Sequence, residues 1–166
     1  MPTTGTVERR ELADEVESLY ATYCEALDDG EIERWPGFFA AEGRYRITTK
    51  ENVERGMPLC FVLCDGQAML RDRAAALRKT VVHRRRVQRR ILSGLRLKTI
   101  DGPDGGAIQT CVSFLLCESM GDGPTRLLVS GRASDAIVRE AGALRFQQRL
   151  CVIDARIVPD SLVFPI

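Results

Sequence analysis

The sequence predicts one α+β domain spanning residues 1–166, with helices first and a strongly curved, mostly antiparallel sheet wrapped around them as a cone. Three observations predict it. Helical periodicity is confined to the first half of the chain. The second half reads as four long strand segments. The breaks between those segments carry Gly, Pro and Asp in turn-forming combinations. At 166 residues the chain can bury a substantial core, and it shows no internal repeat or linker.

Residues 8–28 read as an amphipathic helix. Leu12, Val16, Leu19, Tyr20, Tyr23 and Leu27 line one face. Glu11, Asp14, Glu15 and Glu17 lie in its first half, where the helix dipole favours negative charge. Asp28-Asp29-Gly30 ends it. A second short helix should carry Ile32, Trp35, Phe38 and Phe39, interrupted or started by Pro36, with Gly43 closing the helical region. Arg44–Thr49 alternates as a strand, with Tyr45, Ile47 and Thr49 on one face. The apolar run 58–64 fits either a buried strand or a helix start. Asp65 is placed to cap a third helix over 67–79, with Met69, Leu70, Arg73, Ala74 and Leu77 on one side.

The four later strands are expected at 87–99, 107–119, 125–140 and 143–158. In the second, Ile108, Thr110, Val112, Phe114 and Leu116 share a face. In the last, Leu144, Phe146, Gln148, Leu150 and Val152 do. Ser130-Gly131 inside a strand pattern suggests a bulge or bend.

Composition excludes several functional classes. Lys+Arg (24) nearly balances Asp+Glu (23), against a dedicated nucleic-acid binder. No apolar run is long enough for a membrane span, and the first residues lack the apolar core of a signal peptide, so a cytoplasmic protein is expected. The six cysteines, Cys24, Cys60, Cys64, Cys111, Cys117 and Cys151, form no Cys-x-x-Cys and mostly sit among apolar neighbours. That pattern fits buried reduced thiols. Cys111 and Cys117, on one strand face, would lie about 20 Å apart and cannot share an ion.

The chemistry of the chain is limited by its single histidine, His83. A facial-triad iron site needs two histidines, and so does a Rieske cluster. No nucleophile elbow, phosphate loop or dinucleotide fingerprint is present. The run from His83 to Arg90, HRRRVQRR, is the most conspicuous charge feature. It admits three readings: a phosphate or nucleic-acid contact, a subunit interface rich in Arg, or a solvated edge strand.

Taken in order, the residues Tyr45 and Ile47, Glu51 and Asn52, Cys64 and Asp65, then Leu70, Asp72 and Arg73 make a set. The Leu27-Asp28-Asp29-Gly30 helix end and the closing Arg149–Asp154 segment extend it. This set resembles the small (beta) subunits of bacterial aromatic-ring-hydroxylating dioxygenases. Their cystatin-like cone is shared with nuclear transport factor 2, scytalone dehydratase and ketosteroid isomerase. The chain departs from the family at Arg90 and Gly94, where a histidine and an asparagine are usual.

The resemblance implies a noncatalytic, cofactor-free chain. Its partner would be an alpha subunit holding a Rieske 2Fe–2S cluster and a mononuclear iron, in an α3β3 assembly built on a homotrimer of this chain. Neither nucleic acid nor membrane is implied as a partner. On that reading Arg71, Arg73, Arg84, Arg85, Arg86, Arg89 and Arg90 are the interface candidates. The alternative is a standalone cone-fold isomerase or dehydratase, or a ligand-binding module. Tyr23, Asp28 and His83 would then be the first acid–base candidates.

Overall fold

The structure, a computed structural model, describes residues 4–80, 86–100, 106–121, 123–158 and 162–166. His83, Arg84 and Arg85 lie outside the described residues, as does most of the glycine-rich turn after residue 100.

Helix α1 spans Thr4–Asp28. Its three- and four-residue spacing puts Val16, Tyr20, Tyr23, Ala26 and Leu27 into the core and leaves Glu8, Glu11, Asp14 and Glu17 in solvent. Gly30, at φ +79°, turns the chain back so that the Glu31 N–H reaches the Ala26 carbonyl at 2.8 Å. The second helix is a 3-10 helix, Ile32–Phe38, with Pro36 inside it. Proline cannot donate to an α-helical ladder, and the short turn still delivers Trp35 and Phe38 to the core.

Gly43 does not close the helical region as expected. Strand β1 already begins at Phe39 and runs Phe39–Thr49. A Cβ at Gly43 would lie 2.7 Å from Phe39 Cβ and 2.8 Å from the Ala40 carbonyl oxygen. The glycine therefore permits an irregularity that shifts the register of β1 between Phe39 and Arg44. Helix α2 (Lys50–Glu54) is capped by Thr49, whose hydroxyl accepts from the Asn52 N–H. Strand β2 (Val62–Asp65) resolves the ambiguous apolar run as a strand. Helix α3 is Gly66–Thr80. Asp65 stands immediately before it, and its carboxylate is bound by Arg44 at 2.7 Å.

The four long strands are β3 (Arg86–Ile100), β4 (Ile108–Met120), β5 (Arg126–Glu140) and β6 (Ala143–Ile153). The six strands form one sheet in the order β2-β1-β6-β5-β4-β3. Every neighbouring pair is antiparallel except β1 with β6. Helix α1 packs on β3 and β6, and α3 on β1 and β2, which gives the expected α+β arrangement. Strand β6 stops at Ile153, short of the expected 158, where its parallel partner β1 also ends, Thr49 pairing with Ile153.

The expected inward face of β6 holds only for Leu144 and Phe146. Gln147 is skipped in the pairing with β5, where Ala136 faces Gln148 and Ile137 faces Phe146. The bulge flips the phase, so Arg149, Cys151 and Ile153 are buried in place of Gln148, Leu150 and Val152. The bulge in β5 is at Leu128, between the pairs Leu116–Val129 and Cys117–Leu127, not at Ser130-Gly131. Gly131 serves close approach instead: a Cβ there would fall 2.2 Å from the Val152 carbonyl oxygen.

Candidate functional site

The phase change in β6 brings a guanidinium into the apolar interior. Arg149 pairs directly across from Asp135 on β5, and both side chains are fully buried. Arg149 Nη1 donates to Asp135 Oδ2 at 2.6 Å. Tyr20, from α1, donates to the same oxygen at 2.5 Å and lies 2.7 Å from the Thr110 hydroxyl on β4. The guanidinium also stands 4.8 Å from the Tyr23 ring centroid and 5.2 Å from that of Phe146, a cation–π enclosure.

Burial pushes the Asp135 carboxyl above the usual range, and Arg149 and the Tyr20 hydrogen bond pull against it. Burial also raises the Tyr20 hydroxyl, with the Asp135 charge adding to it. These groups hold their protons and charges in one another. Asp135 Oδ1 and Arg149 Nη2 have no hydrogen-bond partner.

Beside this network the segment 162–166 closes the interior. The Tyr23 hydroxyl donates to the Ile166 carbonyl at 2.8 Å, and the Ile166 N–H donates to the Tyr45 hydroxyl at 2.7 Å. Arg73 donates to the Val163 carbonyl at 2.9 Å, and Arg90 to the Pro165 carbonyl. A cleft of about 590 Å³ opens between α1 and β3, lined by Tyr20, Cys24, Leu92, Gly94, Leu95 and Val112 among others.

The residues singled out from the sequence are dispersed. Tyr23 is buried, and its hydroxyl is engaged by Ile166 and by the Trp35 indole N–H at 3.2 Å. Burial raises its pKa. Asp28 is held by Arg90 at 2.6 Å. No hydrogen bond joins Tyr23 to Asp28 among the described residues, and His83 lies outside them.

The basic run divides by strand parity. Arg86 and Arg90 point inward, Arg86 to the buried Glu118 at 3.4 Å and Arg90 to Asp28. Arg90 thus satisfies its guanidinium within the chain, on Asp28 and the Pro165 carbonyl. Arg89 points outward and reaches Asp28 and Asp29 only at 3.9 Å. Arg71 is exposed on α3. No group of three His, Cys, Asp or Glu side chains among the described residues could hold a metal, and all six cysteines are free. With a single histidine in the sequence, the donor set fits neither a Rieske cluster nor a mononuclear iron.

Sequence reasoning missed Asp135 and Arg149. The available signal was that Asp135 falls in phase with the buried Ala133 and Ile137 on β5, but simple alternation along β6 places Arg149 outside.

The SnoaL-like domain model matches residues 8–150. The chain belongs to this family. Among curated relatives of this SnoaL-like chain is the small subunit of anthranilate 1,2-dioxygenase from Burkholderia cepacia. It is 31% identical over 92% of each chain. Subunit beta 1 of the terminal oxygenase component of terephthalate 1,2-dioxygenase from Comamonas is 30% identical, covering 92% of this chain and 97% of that one. Among solved structures, a beta subunit assigned to an aromatic-ring-hydroxylating dioxygenase from Novosphingobium aromaticivorans superposes with a TM-score of 0.84 at 26% identity. It covers 95% of this chain and 99% of that one. The homologues of this SnoaL-like chain are thus small subunits of ring-hydroxylating dioxygenases. None of its helices is long and apolar enough to cross a membrane, among the described residues.

Proposed function

We propose that this chain is the noncatalytic small subunit of a Rieske-type aromatic-ring-hydroxylating dioxygenase. The reading is carried by relationship to two dioxygenase small subunits at 30–31% identity over nearly the whole chain. The holoenzyme would add dioxygen to an aromatic ring in aromatic catabolism, with electrons from NAD(P)H delivered through a reductase. The Rieske cluster and mononuclear iron belong to the large subunit, for the donor set of this chain suits neither. Its own work is assembly in the cytoplasm: a homotrimer of this chain supporting three large subunits in a closed α3β3 ring. One repeated heterologous contact generates such a ring.

The interior supports a structural role. Each acid–base candidate described there is already bonded within the chain, as are Tyr20, Asp135 and Arg149. A tagged pull-down from native extract tests the reading, with iron and acid-labile sulfide measured on what comes down. A near-stoichiometric larger protein carrying both is expected. A chain that comes down alone and iron-free contradicts it and returns weight to a standalone cone-fold enzyme.

A further inference from the structure

Strand β3 is incompletely covered on its inner face. Leu92, Leu95 and Leu97 pack against the core yet are only half-buried, whereas Val112 and Leu116 on β4 and Ile137 on β5 are sealed. The cause is local. Ser93 pairs with Ser113 and Arg96 with Cys111, so Gly94 and Leu95 stand opposite Val112 alone. This is a bulge, and Gly94 takes a left-handed conformation in it, at φ +65°. A bulge bends its strand, and the cleft of about 590 Å³ lies here, between β3 and α1.

The opposite wall is one stripe of α1. Glu17, Tyr20, Ala21 and Cys24 follow at the three- and four-residue spacing that puts them on a single helix face. Leu92, Leu95 and Val112 complete an apolar lining. Segment 162–166, which closes the interior, does not line this space. A concave, mostly apolar space of this size with few polar groups is the common form of a small-molecule site.

What the cleft can hold follows from which of its polar groups are free. The Tyr20 hydroxyl is engaged by Asp135 and Thr110. The Arg90 guanidinium is engaged by Asp28 and the Pro165 carbonyl. Neither is left to receive an anion. Glu17 is exposed at the rim and makes no ion pair or hydrogen bond among the described residues. Its carboxylate repels an anion and accepts from an O–H or N–H. The space between a helix and a strand is a slot, with the Tyr20 ring in its wall, and a slot suits a planar ring.

We infer that the α1–β3 cleft is a binding site for an uncharged aromatic molecule that carries a hydroxyl or amino group. The ring lies between Ala21 and Cys24 on one side and Leu92 and Leu95 on the other, and the donor group reaches Glu17. The site is built from this chain alone and stands whether or not the small-subunit reading does.

The test is equilibrium dialysis of naphthol and naphthoate against the full chain at pH 7, where a phenolic hydroxyl is neutral and a carboxyl is charged. Wild type should bind one naphthol per chain, saturably, and naphthoate at least about tenfold more weakly. Ala21→Phe, at an exposed helix position, fills the slot from its rim and should weaken naphthol binding at least about tenfold with an unchanged circular dichroism spectrum. Glu17→Gln keeps the volume, removes the charge and should abolish the preference for naphthol. Bound naphthol should slow alkylation of Cys24 and leave that of Cys60, just before β2 at the other edge of the sheet, unchanged. The absence of saturable binding to folded wild type overturns the site. So does binding that Ala21→Phe or Cys24 alkylation does not register, which places the ligand elsewhere on the chain. Naphthoate bound as tightly as naphthol overturns the ligand class. Should Ala21→Phe lose the wild-type spectrum, Glu17→Gln and the Cys24 rate decide.

Discussion

Replacing Arg149 by methionine should cost this fold several kcal/mol while leaving the volume of the site nearly unchanged. The guanidinium stands 2.6 Å from Asp135 Oδ2 with both side chains wholly buried. Two charges about 4 Å apart attract by about 4 kcal/mol at an effective dielectric of 20. Removing one member strands the other in the interior, at about 3–5 kcal/mol. For a chain of this size each kcal/mol moves the melting temperature by about 2–4 °C, so Tm should fall by about 6–20 °C. The double variant Asp135→Leu with Arg149→Met removes both charges and leaves the Tyr20 hydroxyl bonded to Thr110. Its cost should be smaller, about 1–2 kcal/mol, for the Tyr20–Asp135 and Arg149–Ile166 hydrogen bonds that go with the pair.

The assay is a double-mutant cycle by urea unfolding, repeated across pH. Without Arg149, burial alone raises the folded-state pKa of Asp135 further above its unfolded value of about 3.9. A raised acid favours the protonated form in the fold. The deficit of Arg149→Met should therefore be smallest below about pH 4 and grow as pH rises through the folded value. A single variant costing under about 1 kcal/mol, or a double variant as costly as the sum of the singles, would refute the reasoning.

Three further outcomes follow from the packing. Gly131→Ala should lower stability by about 1–3 kcal/mol, measured by urea unfolding, because its Cβ would lie 2.2 Å from the Val152 carbonyl oxygen and 2.7 Å from Phe114 Cζ. Native alkylation at pH 8, read by peptide mass spectrometry, should spare Cys151 and Cys64. Both are buried, and burial pushes the Cys151 thiol up to about 12. Asp28→Asn should destabilise by about 2 kcal/mol or more in thermal melts, since it removes the carboxylate charge that offsets the buried Arg90 guanidinium and leaves it neutral acceptors alone, among them the Pro165 carbonyl and Gln88.

The elements that a period of 3.6 or 2 can announce were legible. The α1 stripe through Val16, Tyr20 and Tyr23 is the core stripe of the helix, and Ile108 to Leu116 on β4 is an inward face throughout. Irregular backbone was not legible. Gly43 reads as a helix terminator from its identity alone, whereas its neighbours Phe39 and Ala40 make it a close-approach residue in a strand. The bulge at Gln147 has no local signature, because it is set by the simultaneous register of β5 and β1 on either side of β6. Its consequence, a buried Arg149, was hidden with it. Arg90 looked like a member of an exposed run until strand parity and Asp28 on α1 turned it inward. The ordered set of motifs from Tyr45 to Arg73 did carry the relationship to dioxygenase small subunits.

The most direct test of the central claim is native mass spectrometry of this chain coexpressed with the large subunit, with iron determined on each separated subunit. The account predicts a single assembly of three small and three large chains, with all iron on the large subunit. A large subunit that assembles and holds its full activity without this chain, or iron retained by this chain alone, would contradict it.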